Sequence, residues 1–140
     1  MDQSIRDVMT PHPCTISPSA SLMDAAQIMR GNNIGNVIVL EDDRLCGILT
    51  DRDIVVRALA EGADLHTTSV AEICSRDLTT IEATAGVGQA VRLMREKAIR
   101  RLPIVDENGF VLGIVSIGDV AIKRDRHTAL AAISAAPPNA

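Results

Sequence analysis

Residues 47–54, GILTDRDI, and residues 113–120, GIVSIGDV, lay out the same chemistry twice: a glycine, two apolar residues, a hydroxyl, and a carboxylate three positions further on. An apolar run that stops at Thr or Ser followed by x-x-Asp reads as a strand passing into a helix. The hydroxyl and the carboxylate can then each satisfy a backbone N–H left unpaired near the helix start. Thr50 with Asp53 and Ser116 with Asp119 are capping boxes on this reading. The glycine three residues before each hydroxyl, Gly47 and Gly113, leaves room for something to approach the backbone closely.

Outward from these stretches the chain is one unit written twice. TISPSASLMDAAQIM (15–29) aligns with TIEATAGVGQAVRLM (80–94) at an offset of 65 residues. Leu22, Ala25, Ala26 and Met29 stand at i, i+3, i+4 and i+7, and Val87, Ala90, Val91 and Met94 reproduce them, which predicts a helix with one apolar stripe in each copy. NVIVL (36–40) and LPIVD (102–106) then predict strands, each followed by a turn that is one residue longer in the second copy. LCGILT (45–50) and FVLGIVS (110–116) predict the next strands, and a second helix begins near Thr50 and Ser116. Each copy therefore reads strand, helix, strand, strand, helix, an α+β class. The copies span residues 5–63 and 70–126, with a connector at 60–69 and a tail at 127–140 whose AAPPNA end should be loose. A unit of ~60 residues leaves much apolar surface open, so the copies should pack together, and the modules should pair as a homodimer.

Composition narrows the function. A chain of 140 residues can bury ~70% of its unfolded surface, and 46% hydrophobic with 23% charged residues predicts a globular protein. The longest apolar runs fall far short of the ~20 residues that span a bilayer, and the N-terminus has no signal-type apolar region, which predicts a cytoplasmic protein with no membrane partner. A net charge of −4 gives no general attraction to nucleic acid, and Phe110, the one aromatic residue, offers no stacking platform. Cys14, Cys46 and Cys74 form an odd set without C-x-x-C spacing, so reduced thiols are expected.

A helix start attracts anions through its free N–H groups and dipole, so Thr50 or Ser116 could donate to a phosphate. A carboxylate one turn on suits a ribose, because Asp53 or Asp119 can accept two hydrogen bonds from a vicinal diol. Arg100 and Arg101 adjoin on an extended segment and point to opposite faces, whereas the first copy has Gly35 and Asn36 there. Only the second copy supplies cations at this place.

With DVMT (7–10), GILTDRDI and RRLPIVDENGFVLGIVSIGDV (100–120) in their order and spacing, residues 5–124 resemble a tandem pair of CBS domains, a Bateman module of the small stand-alone bacterial type. The resemblance implies pseudo-twofold related copies, paired as a flat disc of four units in the homodimer. It implies that adenosine derivatives (AMP, ADP, ATP or S-adenosylmethionine) bind as regulatory ligands in clefts between the copies. It also implies no required cofactor, no catalysis and an unidentified protein effector. Thr50, Asp53, Ser116 and Asp119 become the ribose and phosphate ends of two sites. The adenine wall of the Asp119 site is then Thr10, Thr15, Ile34 and Gly35, and that of the Asp53 site Ser75, Thr80, Ile99 and Arg100. Arg101 is the phosphate candidate near Asp119, with Arg100 and Arg52 near Asp53.

Two other readings stay open. In one the boxes serve only as caps in a nucleotide-independent dimeric adaptor, and in the other His12, Cys14, His66 and Cys74 assemble a mixed metal site in a metal- or thiol-dependent stress protein. Against the latter, Cys74, Cys46 and Cys14 align with Met9, Leu112 and Thr79, where a packing side chain serves. His127 belongs to the tail, and no nucleophile–base–orienter set is recognisable.

Overall fold

The structure, a computed structural model, describes residues 3–76 and 78–124. In chain order the elements are a 3-10 turn (Ile5–Asp7), β1 (Thr10–Pro11), β2 (Thr15–Ile16), α1 (Leu22–Asn32), β3 (Asn36–Glu41), β4 (Arg44–Thr50), α2 (Asp51–Asp53), which runs on as a π-helical segment (Ile54–Leu59), α3 (Val70–Ile73), β5 (Ile81–Glu82), α4 (Val87–Lys97), β6 (Arg101–Val105), β7 (Val111–Ser116) and α5 (Ile117–Arg124). The doubled strand–helix–strand–strand–helix order is present. The tail from residue 127, with His127 and AAPPNA, lies outside the described residues.

The helices form where the apolar stripes stand. Ser21 caps α1, its Oγ accepting from the Asp24 N–H at 3.0 Å while the Asp24 carboxylate accepts from the Ser21 N–H at 3.3 Å. Asn33 and Ala98 end α1 and α4 in the left-handed conformation, both at φ 54°, a conformation that Asn tolerates better than Ala. Leu22, Ala25 and Met29 are buried in one core, with Val37, Val39 and Leu49 of the adjoining sheet. Val87, Ala90 and Met94 are buried in a second core, with Leu102, Ile104 and Val115. One sheet has the order β2-β3-β4 and the other β1-β7-β6-β5. In each, a hairpin pairs antiparallel with a bulge, between Val39/Leu40 and between Ile104/Val105, and a two-residue strand adds parallel to its first strand. Pro103, which has no N–H to offer, is tolerated inside β6 because β5 begins to pair only at Ile104.

The compact units cut across the linear repeat. One unit lies within residues 13–78, and the other joins residues up to 12 to those from 79 onward. The opening segment of each copy completes the unit formed by the rest of the other. In the second unit, β1 pairs antiparallel with β7, Thr10 against Ile114 and Pro11 against Gly113. Ile5, fully buried there, donates its N–H to the Ala85 carbonyl at 2.9 Å. In the first unit the equivalent residues 68–76 do the same. Ile48 and Ser75 exchange backbone hydrogen bonds of 3.1 and 3.0 Å, and Val70 donates to Ala20 at 2.8 Å. The room at Gly47 and Gly113 is used by these segments. A Cβ on Gly47 would stand 2.8 Å from Cys74 Sγ and 3.0 Å from the Ser75 oxygen. One on Gly113 would stand 2.7 Å from both Met9 Sδ and the Thr10 oxygen.

The continuation of α2 departs from the ordinary helix expected from sequence. Its hydrogen bonds reach five residues, as from the Ala60 N–H to the Val55 carbonyl at 2.9 Å, and Val55, Val56 and Leu59 along it are exposed.

The glycine contacts predict opposite outcomes for one substitution. Gly47→Ala and Gly113→Ala should each lower unfolding free energy by about 1–3 kcal/mol through overpacking. Gly31→Ala, in α1 with nothing within 4 Å of a new Cβ, should raise it by about 0.5–1 kcal/mol. Urea unfolding of the three variants checks this, and equal effects would contradict the packing described.

Candidate functional site

At the end of β4 the chain passes straight into α2. Thr50 donates its N–H to Asp53 Oδ2 at 2.9 Å, and Asp53 returns its N–H to Thr50 Oγ1 at 3.1 Å. At the end of β7, Ser116 and Asp119 repeat the exchange at 2.8 and 3.1 Å. Both expected boxes are therefore formed. The same box geometry also starts α1 at Ser21/Asp24, and Ser69 pairs with Glu72 before α3, its N–H and hydroxyl reaching Glu72 Oε2 at 2.7 and 3.1 Å. Ser69-x-x-Glu72 stands in the sequence as the same pattern and went unread there.

What separates the two strand-end boxes from the others is burial. Asp53 and Asp119 are half-buried, whereas Asp24 and Glu72 are exposed. In each strand-end box one carboxylate oxygen, Oδ2, serves the cap, and Oδ1 takes no hydrogen bond among the described residues. The Thr50 and Ser116 hydroxyls accept one bond each and keep their own proton to donate. Each box is thus a cap with one acceptor and one donor to spare.

The sheets bring specific neighbours to each box. In the first unit, Asn36 pairs with Thr50 in the β3–β4 register, and the Asp51 N–H donates to the Gly35 carbonyl at 2.9 Å. Ile34 and Gly35 are half-buried at that same strand start, while Thr15 on β2 and Ser75 beside Ile48 are exposed. In the second unit, Arg101 pairs with Ser116 in the β6–β7 register, and the Ile117 N–H donates to the Arg100 carbonyl at 2.9 Å. Arg101 is half-buried and Arg100 exposed, in keeping with their opposite faces. Ile99, half-buried, also lines a cavity of about 240 Å³ with Val91, Met94, Arg95, Ile117 and Val120. Thr10 on β1 and Thr80 before β5 are exposed in this unit. Of the expected wall sets, Thr15, Ile34, Gly35 and Ser75 share a unit with Thr50, Arg52 and Asp53, while Thr10, Thr80, Ile99, Arg100 and Arg101 share one with Ser116 and Asp119. Asp51, which the sequence reading passed over, stands beside Gly35. Its Oδ2 is 3.2 Å from where a Cβ would be.

Among the described residues no group of three or more His, Cys, Asp or Glu side chains is placed to hold a metal ion. His12 belongs to the second unit, and Cys14, His66 and Cys74 to the first. All three thiols are free, with Cys74 buried and Cys14 and Cys46 packed against the first unit's core.

The residues and their neighbours match a known family. The model of the CBS domain fits residues 5–59 and again 70–124, so the chain is a member of the CBS domain family and carries two copies in tandem. It is 41% identical over 121 residues to the CBS domain-containing protein YhcV of Bacillus subtilis, covering 86% of this chain and 85% of that one. The crystal structure of Hypoxic Response Protein I with two coordinated zinc ions is similar at 34% identity and a TM-score of 0.76, over 86% of this chain and 98% of that one. The CBS domain pair of protein MJ0100 in complex with 5′-methylthioadenosine and S-adenosylmethionine is similar at 28% identity and a TM-score of 0.78, over 86% and 94% of the two chains.

Burial pushes the Cys46 thiol above its ordinary pKa, and negative charge at Cys74 and Glu41 adds to the rise, opposed by Arg76. The native state then keeps a proton that the unfolded chain releases, so this thiol's contribution to stability falls as pH rises past the ordinary thiol range. Alkylation of the native protein by iodoacetamide at about pH 8.5, mapped by mass spectrometry, should modify Cys46 several-fold more slowly than the same residue in urea. Equal rates would contradict a half-buried thiol held protonated.

Proposed function

We propose that this CBS pair is a regulatory module, not an enzyme, that binds adenosine derivatives at a half-site on each unit, centred on Thr50/Asp53 and on Ser116/Asp119, and passes occupancy to a separate protein. The observation that carries the reading is the half-buried carboxylate at each strand end, with one oxygen engaged in the cap and the other unengaged. A ribose diol fits such a group because it offers two O–H donors to an ionised acceptor. The complex of MJ0100 with methylthioadenosine and S-adenosylmethionine supports the ligand class. AMP, ADP and ATP belong to that class, and Arg101, paired in register with Ser116, is the group that would bind their phosphates.

The setting we propose is the cytoplasm. No helix among the described residues is long and apolar enough to cross a membrane. A homodimer is proposed as the working form, with the exposed Val55, Val56 and Leu59 as its apolar contact. Ligand can shift such a module only by its difference in affinity for two packings, and the effector reads that shift.

Saturation at ~100 times the dissociation constant should stabilise the protein by ~2.7 kcal/mol per site, which thermal unfolding reads as several degrees. Asp119→Ala should remove the shift due to its half-site, a binding loss of roughly 2–4 kcal/mol, against about 1 kcal/mol of apo stability for the cap. Should Asp119→Ala lower the apo melting temperature yet leave the ligand-induced shift intact, the box is a cap alone and the adaptor reading replaces this one.

A further inference from the structure

The two half-sites are built alike and differ in charge, with Asp51, Arg52 and Asp53 at the first and Arg100, Arg101 and Asp119 along the second. In the first unit Asp51 follows the hydroxyl of the box, and its carboxylate turns back onto the helix start, where Oδ1 accepts the Arg52 N–H at 2.8 Å. Its other oxygen occupies the space over Gly35. The one N–H of this first turn not engaged by the box or by Gly35, that of Arg52, is thereby taken by a carboxylate of the chain itself. In the second unit the equivalent residues are Ile117 for Asp51 and Arg100 for Gly35, joined by the same backbone hydrogen bond. Ile117 has no charge to place there. The Gly118 N–H, equivalent to that of Arg52, makes no hydrogen bond among the described residues. Arg101 pairs in register with Ser116 at this strand end, and the Arg100 carbonyl accepts the Ile117 N–H.

We infer that the two half-sites divide adenosine derivatives by charge. The second unit takes those carrying an anionic phosphate, and the first takes those that are uncharged or cationic at the 5′ position, with Asp51 as the residue that excludes phosphate. An incoming phosphate at the first unit meets a like charge and must displace a hydrogen-bonded carboxylate, whereas a sulfonium or a plain thioether meets attraction or no charge. At the second unit the Arg101 guanidinium and the unengaged N–H favour the anion. The inference rests on the adenosine-binding reading above.

Calorimetric titration of the full chain with AMP, 5′-methylthioadenosine and S-adenosylmethionine tests it, with one half-site silenced at a time by Asp53→Asn or Asp119→Asn, substitutions that keep a capping acceptor. With Asp119→Asn the remaining half-site should bind methylthioadenosine and S-adenosylmethionine about tenfold or more tighter than AMP, and adding Asp51→Asn should narrow that gap about three- to tenfold. With Asp53→Asn the preference should reverse, and adding Arg101→Ala should abolish the reversal. If both silenced variants bind nucleosides but rank the three ligands alike, or Asp51→Asn leaves the ranking unchanged, the charge division is wrong while the binding reading stands. If none of the three binds the wild-type chain, or neither Asp substitution affects binding, both fall. Unchanged melting temperatures across the variants show that lost binding is not lost fold.

Discussion

Two backbones lie almost in contact over Gly113, where the Thr10 oxygen and the Met9 sulfur occupy the space of a side chain, and again over Gly47, where the Cys74 sulfur and the Ser75 oxygen do. Any other residue at either glycine would push the docking segment away from the sheet. Without that segment β7 would lose its pairing with β1 on one edge, and Ile48 its pairing with Ser75. Ile5, Val70 and Ile73, all buried, would lose the partners that bring them into the two cores. Burying a side chain of this size contributes about 1.5–3 kcal/mol, so the close approach holds a large part of each unit. It also holds the ends of β4 and β7, three residues further on, where the hydroxyls and carboxylates stand.

The capping box and the proposed binding site share the same atoms. A cap needs one carboxylate oxygen and one hydroxyl lone pair, and Asp53 and Asp119 with their hydroxyls meet that need with one acceptor and one donor left over. At Asp24 and Glu72 water can satisfy the remaining oxygen, since both side chains are exposed. The half-burial at the strand ends makes the spare oxygen valuable to a ligand, because a partially desolvated carboxylate gains more from a donor than a hydrated one does. The difference between the units then comes from the single residue after each hydroxyl, Asp51 or Ile117, together with Gly35 or Arg100.

Patterns with short range were legible in the sequence. The stripes of α1 and α4, the hairpins, and both boxes followed from spacings of two to four residues, and the repeat confirmed each by its twin. The docking of residues 3–12 and 68–76 was not legible, because Thr10 meets Ile114 through a pairing of only two residues more than a hundred positions apart. The glycines did signal that something approached, and what approached was the chain itself. Asp51 was missed for a similar reason. Its meaning depends on lying over Gly35, a contact set by the β3–β4 register and not by proximity in sequence. The π-helical course of Ile54–Leu59 has no periodic signature that separates it from an ordinary amphipathic helix.

The central claim is that a half-buried aspartate at a strand end holds a ribose diol. Titration with AMP and with 2′,3′-dideoxy-AMP, identical except for that diol, measures it most directly. Loss of two charge-assisted hydrogen bonds should weaken the dideoxy compound by about tenfold or more, and with Asp53→Ala and Asp119→Ala combined the two compounds should bind alike. Equal affinity of the wild-type protein for both would contradict the account.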